Sequence, residues 1–166
     1  MTPRSATQRR LDTLETLRRG GDAWVATANP DGTAHLVLLS FSWDGERLTV
    51  ATTPHSKTGR NLTRSRWARV ALNLPGEVVI VEGPLELISV AAVDGLAAAH
   101  AAAIGFDFRR EAAAYSFFRL TPARVQAMRG PEEAAGRTIM RRGRWLDVRG
   151  ETQLIEGDTV HEPVYV

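Results

Sequence analysis

The residues with the clearest chemical potential are His55-Ser56-Lys57-Thr58-Gly59-Arg60-Asn61-Leu62. Lys57 is the only lysine in 166 residues, and every other one of the 21 Lys and Arg side chains is an arginine. It stands beside two hydroxyls, a glycine, an arginine and an amide. Ser56 suits the N-cap of a short helix through this stretch, and a helix N-terminus attracts an anion. Lys57 adds a compact charge and Arg60 a planar fork of donors. The cluster therefore reads as a phosphate site formed by Ser56, Lys57, Thr58, Arg60 and Asn61. It reads equally as a capped, exposed helix with a lysine left by chance, and the octapeptide alone does not choose.

The remaining chemistry is sparse. Without cysteine there are no disulfides, thiolate nucleophiles or cysteine-bound metals. His35, His55, His100 and His161 lie far apart, outside the spacings of metal-binding helices, so no metal site is expected. Neither a G-x-G-x-x-G nor a G-x-S-x-G motif is present. Trp24, Trp43, Trp67 and Trp145 suit the core or a dimer contact. The run Arg141-Arg142-Gly143-Arg144 reads as a solvated turn before it reads as a polyanion site.

The elements that must position these residues follow from periodicity and turn chemistry. Residues 7–19 place Leu11, Leu14 and Leu17 on one helical face, and Gly20-Gly21 ends the helix. Residues 22–28 and 34–43 form a hairpin about Asn29-Pro30-Asp31-Gly32. Asp44-Gly45 turns the chain into a third strand, 47–52. The lysine-bearing helix spans 56–64. Strands follow at 68–74 and 77–88, with Gly83-Pro84 expected to mark a bulge. Residues 89–104 read as a helix, 106–114 as ambiguous, and 115–120 and 124–128 as strands. Residues 137–146 suit a last strand or a hairpin about Gly143. Residues 1–146 would form one domain, and 147–166 a tail or partner-contacting arm.

Composition is that of a soluble globular chain, 43% hydrophobic and 24% charged. Net charge is only +2, so the high isoelectric point is weak evidence for nucleic acid. Neither a signal peptide nor a membrane-length apolar run is visible, and a cytoplasmic location is the expectation.

The order of elements, together with Asp31-Gly32, Trp43-Asp44-Gly45, the Ser56–Leu62 segment and Arg69-Val70-Ala71-Leu72, resembles the pyridoxamine 5'-phosphate oxidase-like superfamily of flavin- and deazaflavin-binding proteins. The resemblance spans residues 23–128. It implies a mainly β fold, a six-stranded antiparallel split β-barrel with peripheral helices. It also implies a homodimer with two cofactor sites between subunits and an oxidoreductase activity. Lys57, Arg60, Asn61, Ser56 and Thr58 would hold the cofactor phosphate. Thr52 and Thr53 would meet the ring, as would Leu38 and Ser40, although a water-capped strand end or a buried strand accounts for the same residues.

The FMN-dependent oxidase pattern carries an arginine on the second strand and a lysine five residues later. His35 and Ser40 occupy those positions here, removing two charge-assisted contacts worth about 1.5–3 kcal/mol each. The arginine-rich C-terminal motif of true pyridoxamine phosphate oxidases is also missing. The Lys-Thr-x-Arg-Asn-Leu form is more similar to the branch that uses the deazaflavin coenzyme F-420. The resemblance thus implies hydride transfer from reduced F-420 to an electron-poor small molecule. FMN on the same fold, or a non-enzymatic cofactor- or haem-binding module, are the alternatives.

Overall fold

The computed structural model describes residues 2–88, 99, 100, 102 and 115–146. Ser5 starts α1 (Ala6–Arg19) by accepting a hydrogen bond from the Gln8 amide at 3.1 Å. Gly20, at φ 67°, ends it. The buried side chains of α1 are Arg9, Thr13 and Leu17, whereas Leu11 is 54% exposed. The leucine spacing therefore gave only part of the inward face: Leu17 is in the core, Leu14 is half-buried and Leu11 faces out. The reason is tertiary: the Arg9 guanidinium donates to the carbonyl oxygens of Gly136 (2.6 Å), Ala127 (3.4 Å) and Glu133 (3.5 Å). Those acceptors turn the helix so that an arginine points inward.

Three antiparallel strands follow as a meander: β1 (Gly21–Ala28), β2 (Ala34–Trp43) and β3 (Leu48–Thr52). Their turns are the expected ones. Gly32 takes φ 83° after Asp31, and Asp44 accepts from the amides of Glu46 and Arg47. Next come α2 (Lys57–Ser65), β4 (Trp67–Leu72), β5 (Val78–Leu87), β6 (Ser116–Leu120) and β7 (Arg124–Met128). A single 3-10 turn (Pro131–Glu133) leads to β8 (Thr138–Arg141) and β9 (Arg144–Trp145), a hairpin about Arg142-Gly143.

Six strands close into a ring, β4-β1-β2-β3-β6-β5, and β5 pairs back to β4. Strand β5 changes neighbours along its length. Residues 78–82 pair with β7 and residues 85–87 with β6, so β7-β8-β9 continue the sheet outside the ring. This is the expected split barrel. Inward side chains alternate along each strand and fill the core, with Val25, Phe41, Leu48, Val70, Val81, Phe118 and Val125 almost wholly buried.

No bulge occurs at Gly83-Pro84. Register with β4 runs unbroken through Ala68↔Gly83 and Trp67↔Pro84, and the irregularity lies instead between Val125 and Gln126. Gly83 is needed for space. The chain from β6 to β7 crosses directly over it, with Thr121 donating to the Pro84 carbonyl (3.0 Å) and Ala123 to the Glu82 carbonyl (2.8 Å). A Cβ at Gly83 would stand 2.0 Å from the Thr121 oxygen.

An ionic cluster ties α1 to the 3-10 turn. Arg4 bonds Glu133 through Nε (3.0 Å) and Nη2 (2.9 Å), and its Nη1 bonds Asp12 (2.6 Å) and Glu77 (2.7 Å). Ala99, His100 and Ala102 are helical; the rest of the helix expected over 89–104 lies outside the described residues, as do 106–114 and 147–166. Among the described residues, no helix is long and apolar enough to cross a membrane.

Candidate functional site

The site is built on α2. Ser56 is its N-cap: Oγ accepts from the Gly59 amide at 2.9 Å and donates to the Thr53 carbonyl at 2.7 Å. The Thr52 hydroxyl lies 3.2 Å from the same oxygen. Capping satisfies Gly59 and leaves the Lys57 and Thr58 amides, the first two of the helix, without intrahelical acceptors. Gly59 seats the helix. A Cβ there would stand 2.4 Å from the Thr53 oxygen and 2.8 Å from that of Pro54, so only glycine permits this approach to the end of β3.

One face of α2 is buried. Thr58, Asn61 and Leu62 cover one end of the barrel, and the Thr58 hydroxyl meets His35 Nε2 at 2.9 Å. The adjoining face carries Lys57, Arg60, Asn61 and Arg64, spaced three and four apart so that they line up. Opposite stand Asn29, Pro30 and Asp31 of the β1–β2 turn, and together the two elements enclose an open cleft of about 350 Å³. Asn61 fastens the two walls, donating to Thr27 Oγ1 (3.1 Å) and Asn29 Oδ1 (3.0 Å). Arg64 donates to the Ala28 carbonyl (2.5 Å) and to Asn61 Oδ1 (3.2 Å), and Arg60 to the His55 carbonyl. Lys57 is exposed and, among the described residues, makes no hydrogen bond or ion pair.

Asp31 is the one acidic residue of the cleft lining. Hydrogen bonds from the Thr33 side chain and backbone hold its carboxyl below the usual range, and the Lys57 charge acts in the same direction.

Residues 14–129 match the pyridoxamine 5'-phosphate oxidase family. The chain belongs to that family. The matched span includes the whole cleft and nearly coincides with the stretch in which the motifs lie. No curated protein matches the chain. Among solved structures, an F-420 reductase superposes with TM-score 0.57 at 20% identity, covering 67% of this chain and 93% of its own. A heme binding protein from Mycobacterium smegmatis gives 0.65 at 19%, covering 86% of this chain and 60% of its own. An FMN binding protein of Nostoc punctiforme, related to pyridoxamine 5'-phosphate oxidase, gives 0.52 at 20%, covering 76% and 82%. These likenesses are of fold.

Within this member of the pyridoxamine 5'-phosphate oxidase family, the residues singled out by sequence fall in two places. Ser56, Lys57, Thr58, Arg60 and Asn61 gather at α2, with Thr52 and Thr53 directly beneath its N-cap. Leu38 and Ser40 lie apart, on the outer face of β2. Leu38 is 40% exposed opposite Trp24, and the Ser40 hydroxyl donates to Asp22 Oδ1 at 2.7 Å. His35 points inward to Thr58, away from that face. His100 is buried, with Nδ1 2.7 Å from the Ser42 hydroxyl, and burial pushes its pKa down to about 4. Sequence reasoning missed Arg64 and Asp31 as lining residues. The signal for Arg64 was its helical spacing, seven positions from Lys57; Asp31 had none, because the turn reaches the helix only in three dimensions.

The donors suit a phosphate: an unpaired ammonium, two guanidinium groups and two free amides at a helix N-terminus. They would hold the phosphate of a flavin-type cofactor at the cleft.

Proposed function

We propose that this chain holds a flavin-type cofactor by its phosphate in the α2 cleft and acts as an oxidoreductase, with the deazaflavin F-420 preferred to FMN. The observation that carries the reading is the alignment of Lys57, Arg60 and Arg64 along one cleft, Lys57 being unpaired among the described residues. The preference rests on β2, where the FMN pattern needs two cations. His35 is engaged with Thr58 there and Ser40 with Asp22, so neither position offers the arginine or lysine of that pattern. The neighbour named as an F-420 reductase supports this choice. Those named for FMN and heme keep the alternatives in the test. When bound, a reduced deazaflavin supplies a hydride to an electron-poor small molecule. This chain's residues bind and orient the cofactor; Lys57 and the α2 amides would anchor one end, and Thr52 and Thr53, beneath the α2 N-cap, would meet the ring.

Lys57→Ala is expected to weaken cofactor binding by about 1.5–3 kcal/mol, or about ten- to a hundredfold. Lys57→Arg should be milder, since a planar fork is an imperfect substitute for a point charge. Fold stability should change by less than about 1 kcal/mol, as the ammonium is exposed. Fluorescence titration with F-420 and FMN, alongside melts without cofactor, checks this. Unchanged affinity of Lys57→Ala for both cofactors would remove the phosphate from this cleft.

A homodimer completes the proposal. Trp24 (41% exposed), Leu36 (58%), Leu38 (40%) and Trp67 (48%) spread over the outer face of β4-β1-β2, where Trp24 is paired in register with Leu38 and Ala71. So broad an apolar surface suits a partner of the same kind. Leu38 and Ser40 would then reach the cofactor at the subunit interface. Sedimentation should show about twice 18.2 kDa, and Leu36→Asp should yield the single chain. A wild-type monomer at micromolar concentration would exclude an interface site.

A further inference from the structure

The cleft carries a fixed negative charge that the phosphate reading does not require. Asp31 Oδ1 accepts from the Thr33 amide (3.0 Å) and hydroxyl (2.6 Å), which pins the carboxylate in the turn facing α2. Its Oδ2 makes no hydrogen bond among the described residues. Of the three cations opposite, Arg60 and Arg64 keep their charge while donating to neutral backbone carbonyls, and Lys57, the cation electrostatically coupled to Asp31, makes no hydrogen bond among the described residues. An entering phosphate meets Lys57 and Asp31 together.

We infer that Asp31 is a charge filter, narrowing the cleft's preference for a doubly charged terminal phosphomonoester over a singly charged phosphodiester. The inference rests on the cofactor-phosphate reading of the cleft. Repulsion by one fixed charge scales with the ligand's charge, so Asp31 opposes a dianion about twice as strongly as a monoanion. A cleft without such an acid would favour the dianion more strongly. Selectivity of this kind arises from a repulsive element added to an attractive site. Asp31 is a specificity residue on this account; Lys57 supplies the affinity.

The test compares FMN with its phosphate monomethyl ester, which share ring and ribityl chain and differ by one charge. Both are titrated into wild type and Asp31→Asn; the amide keeps an acceptor for Thr33 and removes the charge. Wild type should discriminate between FMN and the ester about threefold less than Asp31→Asn does. In Asp31→Asn the ester should gain about threefold and FMN about tenfold, about threefold for each ligand charge, as for a fixed charge several ångströms away in water. Melts report whether the turn is intact. If both ligands shift by the same factor, or neither shifts, Asp31 is only a turn residue and the filter is wrong. If wild type binds neither ligand, nor F-420, the cofactor reading itself fails and the filter with it; that result is distinct from binding that ignores residue 31.

Discussion

Gly83→Ala is expected to cost about 3 kcal/mol or more of folding stability, the upper end of what overpacking does. The added Cβ would lie 2.0 Å from the Thr121 carbonyl oxygen and 3.0 Å from the Ala123 nitrogen. Both are backbone atoms of residues whose amides donate to the Pro84 and Glu82 carbonyls, so no flexible side chain can move aside. The entropic gain of replacing glycine, about 0.4–1 kcal/mol, is too small to offset the clash. The damage falls where β5 exchanges β7 for β6, so the ring and its β7-β8-β9 extension loosen together. Gly32→Ala is the control. Its φ of 83° carries a strain of about 1–2 kcal/mol, but nothing lies within 4 Å of a Cβ there. Urea unfolding of the two variants separates space from conformation. A midpoint for Gly83→Ala no lower than that of Gly32→Ala would refute the close-approach argument.

Glu133→Ala is expected to cost about 3 kcal/mol, because it removes the acceptor of Arg4 Nε and Nη2 and of the Arg4 and Arg129 amides, while Asp12 and Glu77 still hold Arg4 Nη1. The Glu133 carboxylate accepts from Arg4 through its amide (2.9 Å), Nε (3.0 Å) and Nη2 (2.9 Å), and also from the Arg129 amide (2.9 Å). The Arg4 side-chain hydrogen bond outweighs desolvation and pulls the carboxyl from the ordinary 4.5 down to about 2. A carboxylate depressed on folding contributes stability that is fully present above 4.5 and is lost as pH falls towards 2. Glu133→Gln should therefore be less stable than wild type at neutral pH by a constant margin. The margin should close progressively below pH 4.5. Unfolding free energies measured from neutral to strongly acidic pH decide the matter. A margin that does not change with pH would assign the cost to shape and packing rather than to charge.

The two predictions differ in how visible they were beforehand. Glycine beside proline signals irregular backbone, which is why a bulge was expected at Gly83-Pro84. Position 83 was special for another reason, the crossing of a chain segment nearly forty residues later. Arg4 and Glu133 are 129 residues apart, and nothing local links them. The same holds for α1. Its length and caps were readable, but its inward face was set by carbonyls from β7 and the following turn.

What the sequence determined by itself was whatever local chemistry controls. Turn residues at Asn29–Gly32 and Asp44-Gly45, alternation along the strands and a serine before Lys57 placed β1, β2, β3 and α2 within a residue or so. They also marked Lys57 and Arg60 as neighbours, because helical spacing is a short-range property. Tertiary structure alone decided what faces them. Closure of the ring brings the β1–β2 turn against α2, so that Asn29 and Asp31 complete the cleft. It also turns His35 inward to Thr58 and leaves Leu38 and Ser40 on the outer wall, since alternate residues of a strand take opposite sides of the sheet. Spacing along a chain specifies which groups share an element's face; only the packing of elements specifies which charges meet across a gap.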